Sequence, residues 1–313
     1  MHGTFVVFGI EFPAYFTLLM VGFMAGTMVA WKAAPSLGID PNKILDLAIL
    51  IILAGVGGGR IAHVLFDGQL NHYYWLCKDP LQTTGEILPG SRYCIDNAQC
   101  TAANLGDLCH PSQGTCHWGK DCLRVFKFWD GGLTYYGGLL LAIPLGLWFL
   151  RRNRIPQWKV ADLAGIGIPL GLGFGRLGCF LSGCCYGQQA DVGWAVSFPN
   201  GSPAWKDHYD RFLVGATDGS LPVHPTQLYE SLACFAIAGL MMWWYKHKKT
   251  FDGEILWLFV LLYGMARFMV ETLRGDERGE YFGLSTSEGI SLVMIVMAIF
   301  FLSRLWKRSQ AQG

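Results

Sequence analysis

The run GLGFGRLGCFLSGCCYG, from Gly171 to Gly187, sets one arginine, Arg176, in an otherwise apolar, glycine-laden stretch. A guanidinium does not lose its proton, so a non-aqueous site must surround it with partners. At membrane depth the charge costs a few kcal/mol at least, and residues carrying that cost mark functional sites. Phosphate matches a guanidinium through paired N–H donors. Two plainer readings apply to the glycines. Gly173, Gly175 and Gly178 have the spacing of the dinucleotide fingerprint, but that motif needs a preceding strand in a βαβ unit, and a long apolar helical pattern stands there instead. Gly167, Gly171 and Gly175 recur every four residues and form a face against which another helix can pack closely. That face explains the glycines and leaves Arg176 without a reason.

Working outward, apolar runs long enough to span a bilayer recur at 13–31, 44–66, 132–150, 160–181, 226–245, 254–273 and 286–305. A span needs about 20 residues. The chain of 313 residues is 52% hydrophobic and 15% charged, against about 25% charged in soluble chains. Its mean hydropathy is +0.32. These values predict an all-α polytopic membrane protein. The net charge of +1 and the lack of a basic tail give no sign of nucleic-acid binding. No Lys or Arg precedes the first apolar run, so that run is expected to remain as a helix rather than be cleaved as a signal peptide. The basic clusters RRNR at 151–154 with Lys159, KHKK at 246–249, and Arg304, Lys307 and Arg308 fall on one side, with Lys32 and Lys43. The positive-inside rule then predicts seven transmembrane helices, the N-terminus outside and the C-terminus in the cytoplasm.

The same order divides the chain into helices one and two (1–66), an outer insert (67–130), helices three and four (131–181), an outer cap (182–225) and helices five to seven (226–313). Six of the ten cysteines lie in the insert, between Cys77 and Cys122. An outer location suits up to three disulfides, whose pairing the spacing leaves open. The alternative is a zinc site from Cys109-His110, Cys116-His117 and Cys122, but the spacing is irregular and there is no CxxC pair. In the cap, WAVSFPNGSPAW alternates and ends in turn formers, which predicts a short strand pair or a small lid. HPTQLYES follows, from His224 to Ser231, with Gln227 and Tyr229 in its first turns. His224 reads equally well as a side chain that fixes the start of helix five.

Polar residues inside the apolar runs carry the functional signal. Arg60 follows Gly59 in helix two. Tyr263, Arg267 and Glu271 follow one another at four-residue spacing on helix six, so they share a face. Arg274 continues that line. The plain reading is an internal salt bridge with an interfacial anchor. Yet Arg60, Arg176, Arg267 and Arg274 outnumber nearby acids, and a lipid phosphate is the natural source of the missing anion.

Taken together, GRIAHVLFD (59–67), WDGGLTYYGG (129–138), the central run, HPTQLYE (224–230) and YGMARFMVETLRGD (263–276) resemble the prolipoprotein diacylglyceryl transferases, in the family's order and at near-family spacing. The likeness covers most of the chain except the insert, which is longer and richer in cysteine. It implies the seven-helix, N-out topology in a bacterial inner membrane. It also implies transfer of a diacylglyceryl group from phosphatidylglycerol to the lipobox cysteine of a preprolipoprotein signal peptide, with release of glycerol phosphate. No cofactor or metal is implied, and membrane lipids surround a monomer. By the same likeness Arg176 and Arg267 are the essential arginines, with Tyr263, Glu271, Tyr15 and the motif-closing Gly187 at family positions. Three positions depart from the pattern. Tyr136 stands for a histidine, Cys179 for an asparagine and Cys184 for a glutamate. The acceptor of the thiol proton therefore stays open between Tyr136, Glu271 and His224. Two other readings stand beside the transferase. Cys184-Cys185 with Cys179 could serve a membrane thiol-disulfide oxidoreductase, although CxxC is absent and adjacent cysteines make strained bridges. A non-catalytic phospholipid-binding paralogue would keep the arginines and lack a base.

Overall fold

The structure, a computed structural model, describes residues 4–7, 10–88, 93–103, 105–127, 132, 134–275, 280–281 and 284–311. Trp129, Asp130, Gly131 and Leu133 of the third-helix motif, and Asp276, lie outside the described residues. In chain order the helices are α1 (Ala14–Ala33), α2 (Pro41–Phe66), α3 (Leu70–Lys78), α4 (Asn97–Ala102), α5 (Tyr135–Arg152), α6 (Gln157–Ser182), α7 (Pro203–Asp210), α8 (Thr226–His247), α9 (Glu254–Glu271) and α10 (Thr286–Gln310). All seven apolar runs are helical, with ends shifted by a few residues. Among the described residues four segments, Ala14–Leu37, Pro41–Phe66, Gln157–Ser182 and Thr286–Gln310, are long and apolar enough to cross a membrane. Helix α8 includes Glu230, and α9 includes Glu254, Arg267 and Glu271, which lowers their hydropathy.

The chain divides into two compact units, Met1–Leu45 with Ile155–Gly313, and Asp46–Arg154. In the first, α6 is the central element. Glycine makes its contact with α1: a Cβ on Gly22 would sit 3.0 Å from the Cα of Gly171, and one on Gly26 would sit 2.9 Å from the carbonyl oxygen of Gly167. The small-residue face is thus a packing face at Gly167 and Gly171. At Gly175 it meets only Leu19 Cδ1. Gly173, Gly175 and Gly178 lie within α6, with no strand before them, so the dinucleotide reading fails. On its other side α6 meets α8, where Ser231 Oγ donates to the Gly173 carbonyl at 2.9 Å. Ile166, Ile237, Met241, Ile255 and Phe259 close an apolar core between α6, α8 and α9. Asp162, fully buried on α6, caps α9 by accepting from Gly253 N and Ile255 N, both at 2.9 Å. Lys249 Nζ balances its charge at 2.8 Å.

The chain also contains short strands that the apolar runs did not reveal. β1 (Thr4–Val7) and β2 (Ile10–Pro13) form an antiparallel hairpin ahead of α1. The cap differs from the expected strand pair. Within the cap, strand pairing is limited to the isolated bridges Gln189↔Val223 and Val196↔Val223, and Gly187 bridges out of it to Arg274. The end of WAVSFPNGSPAW instead starts helix α7, because Ser202 accepts from Trp205 N as its N-cap and Pro203 suits the first helical position.

In the second unit, α2 and α5 approach through glycine again: a Cβ on Gly58 would lie 2.5 Å from the Gly137 carbonyl oxygen. The insert is held by three disulfides, Cys77–Cys122, Cys94–Cys109 and Cys100–Cys116. They use Cys109, Cys116 and Cys122, which rules out the zinc alternative. Strands β3 (Glu86–Ile87), β4 (Leu108–His110) and β5 (Thr115–His117) form its small sheet in the order β3-β5-β4. The remaining strands, β6 (Glu280–Tyr281) and β7 (Leu284–Ser285), pair just before α10 in the first unit.

Candidate active site

Helices α6, α8 and α9 each contribute a charged residue to one buried point in the first unit. Arg176 on α6 reaches Glu230 on α8, with Nε 3.0 Å from Oε2. Arg267 on α9 places Nη1 3.6 Å from the same oxygen. Tyr263, one turn before Arg267, donates its hydroxyl to the other carboxylate oxygen at 2.9 Å. Glu230 is 1% exposed, so its charge depends on these partners. Arg267 Nη2 sits 2.6 Å from Glu271 Oε2, the i,i+4 pair expected on helix six. Arg274 Nε stands 3.8 Å from the same oxygen. From the start of α10, Ser287 accepts from Arg267 Nη2 at 3.1 Å and Ser285 donates to Glu271 Oε1 at 3.0 Å. Among the described residues, three guanidinium groups thus face two carboxylates. Arg176 engages Glu230 through Nε, while Nη1 of Arg267 is buried with no hydrogen-bond partner among the described residues.

The end of α6 leads into the cap beside this cluster. Tyr15 of α1 lies against Gly178, where an added Cβ would come 3.0 Å from the tyrosine Cα. Gly183, in a left-handed conformation with φ of 71°, ends the helix. Cys184 N donates to the Cys179 carbonyl at 3.1 Å, folding the chain back. Cys179, Cys184 and Cys185 then hold their sulfurs within 4.8 Å of one another, among the described residues the one such group outside the disulfides. Gln227 Nε2 donates to the Cys184 carbonyl at 2.7 Å, and Thr226 Oγ1 to that of Cys185 at 2.9 Å, so the start of α8 fixes this turn. Gly187 is held from both sides. Its N–H donates to the His224 carbonyl at 2.9 Å, and it bridges to Arg274. A Cβ there would lie 2.6 Å from His224 Cβ and 2.7 Å from the Leu273 carbonyl oxygen, so only glycine fits. His224 Nδ1 is 3.2 Å from the Tyr229 hydroxyl, which also accepts from Trp194 Nε1 at 2.7 Å.

The structure therefore brings together Arg176, Tyr263, Arg267, Glu271 and Arg274, with Tyr15, Cys179 and Cys184 at the end of α6 and Gly187, His224, Gln227 and Tyr229 on the adjoining cap. Arg60 and Tyr136 belong to the other unit. Arg60 donates to the carbonyls of Val125 (2.7 Å), Gly132 (3.1 Å) and Arg124 (2.6 Å), tying α2 to the end of the insert. Tyr136 is 59% exposed on α5. Sequence reasoning passed over Glu230, Ser285 and Ser287. The signal for Glu230 was present: an acid in an apolar run, inside the HPTQLYE motif. The two serines gave none, since each acts only through a fold that returns α10 to α9.

These features define a helical, polytopic membrane protein with a buried arginine–glutamate cluster inside its bundle. The family described as prolipoprotein diacylglyceryl transferase matches residues 4–88 and 107–304, and the chain belongs to it. Its relatives include the phosphatidylglycerol–prolipoprotein diacylglyceryl transferase of Clostridium tetani, 28% identical over 95% of this chain and 94% of that protein. The protein of the same name from Stenotrophomonas maltophilia is 29% identical over 92% of this chain and 86% of its own length. That of Vibrio cholerae is 35% identical over 61% of this chain and 66% of its length. The unmatched residues 89–106 contain Cys94 and Cys100, so two of the insert's three disulfides have a partner in sequence the family match leaves out.

Proposed function

We propose that this chain is a bacterial inner-membrane enzyme that transfers the diacylglyceryl group of phosphatidylglycerol to the thiol of a lipobox cysteine, releasing glycerol phosphate. We take it to span the membrane seven times with its N-terminus outside, so that the insert and cap lie on the outer side. One observation carries the reading: Arg176 and Arg267, from separate helices, converge on one buried carboxylate oxygen.

In the proposed mechanism the lipid phosphate lies against the Nη groups of Arg176 and Arg267, while Glu230, Glu271 and Tyr263 hold both guanidiniums in position. A sulfur lone pair of the lipobox cysteine attacks the glycerol carbon. The carbon–oxygen bond to phosphate breaks, and its electron pair leaves with glycerol phosphate. The arginines stabilise the charge growing on that phosphate, an electrostatic contribution worth about 10²–10³ in rate per donor. The thiol, with a pKa of about 8.5, must give up its proton. Tyr136, Glu271 and His224 are the acceptors to compare. Arg60, Arg274, Gly187, Gln227, Tyr229, Cys179 and Cys184 are assigned to binding and shaping the site.

The test is Arg176→Gln, assayed for lipidation of a lipobox peptide in phosphatidylglycerol vesicles. Transfer should fall at least about 100-fold with the fold intact. Near-normal turnover removes Arg176 from the site. Unchanged pH–rate profiles in Tyr136→Phe or His224→Gln remove that residue as proton acceptor.

A further inference from the structure

The last turn of α6 and the turn that follows it hold three thiols side by side, Cys179 in the helix and Cys184 and Cys185 beyond its end. We propose that Cys179, Cys184 and Cys185 form a three-sulfur binding site for a soft monovalent metal ion, Cu(I). Their sulfurs lie within 4.8 Å of one another. Three thiolates in a plane around an ion at about 2.3 Å stand about 4 Å apart, so the cluster closes on an ion with small side-chain movements. The backbone is already set. Gly183 has a φ of 71° and Cys185 a φ of 61°, and both cysteine carbonyls after the helix are fixed by Thr226 and Gln227. Among the described residues no histidine, carboxylate or fourth thiol joins the three. Soft thiolate sets select Cu(I) and Zn(II), and structural Zn(II) requires four ligands, so a three-sulfur set favours Cu(I).

The experiment uses the full-length protein, purified in detergent under argon and titrated with Cu(I) buffered by bicinchoninate. One copper per chain is expected, with X-ray absorption showing three sulfurs at about 2.3 Å. Cys179→Ser, Cys184→Ser and Cys185→Ser should each weaken binding at least tenfold, whereas Cys234→Ser should not. If a serine variant folds poorly, the wild-type protein still decides the matter, because Cu(I) should protect the partly exposed Cys184 and Cys185 from iodoacetamide. The proposal is overturned if no copper is retained or if the serine variants bind as the wild type does. It is equally overturned by zinc outcompeting Cu(I), or by a disulfide joining two of the three in the untreated protein.

Discussion

Replacing Glu230 with glutamine keeps its shape and removes the charge on which Arg176 and Arg267 meet. The carboxylate is 1% exposed and lies 3.0 Å from Arg176 and 3.6 Å from Arg267. Two opposite charges about 4 Å apart attract by about 4 kcal/mol at an effective dielectric constant of about 20. Breaking a buried pair from one side leaves its partner uncompensated and costs about 3–5 kcal/mol. The single variant should therefore unfold earlier by that amount, followed by tryptophan fluorescence during titration with denaturing detergent. The double variant Glu230→Gln/Arg176→Gln should lose less than the sum of the two singles, with a coupling energy of about 2 kcal/mol, within the range for charged neighbours. Transfer to a lipobox peptide should fall about 100-fold in the single variant, because guanidiniums misplaced by about 1 Å lose that much rate. Wild-type stability together with additive single-variant effects would refute the reasoning, since Glu230 would then not hold the two arginines.

Three further outcomes follow from the geometry. Gly187→Ala forces a Cβ to within 2.6 Å of His224 Cβ; it should cost about 1–3 kcal/mol, as overpacked sites do, and lower transfer, with midpoint and rate measured on the same sample. His208 is buried, and its Nδ1 accepts from Leu221 N at 3.1 Å. Burial holds its pKa below the usual value near 6.5, with Arg211 adding to this and Asp207 opposing it. The folded state thus favours the neutral ring, and the unfolded chain binds the proton more readily. Stability should be full above pH 6.5 and decline as pH falls below it; thermal melts of wild type and His208→Gln would check this, and a variant with the same acid slope would refute it. Replacing Cys179, Cys184 and Cys185 together by serine should leave measurable diacylglyceryl transfer, whereas a thiol-disulfide oxidoreductase would lose all activity.

The apolar runs were legible because long uninterrupted hydrophobicity favours helices; the described parts of each run are helical, and among the described residues four segments are long and apolar enough to cross a membrane. Arg267 and Glu271 were legible as a pair because helical spacing alone places them on one face. The helix-pairing role of Gly167 and Gly171 was also legible; their partners Gly22 and Gly26 were not, because period-four spacing names a face and not its neighbour. The positive surplus expected from four arginines is smaller than counted. Glu230 joins the cluster from another helix, and Arg60 spends its donors on carbonyls of the insert. Such long-range relations leave no local mark. The disulfide pairing was illegible for the same reason, and the strand pattern in the cap was overridden by a serine cap followed by proline.

The Cys77–Cys122 bond sets these two Cα atoms 4.3 Å apart across 45 residues of chain. Neighbouring residues along any chain stand about 3.8 Å apart. The stretch between them therefore leaves and returns at nearly the same place, as a pendant does from its clasp. Residues can be added to or taken from the stretch without moving the helices before and after it. A variant with residues 78–121 exchanged for a two-glycine turn would show whether the catalytic body folds without its ornament.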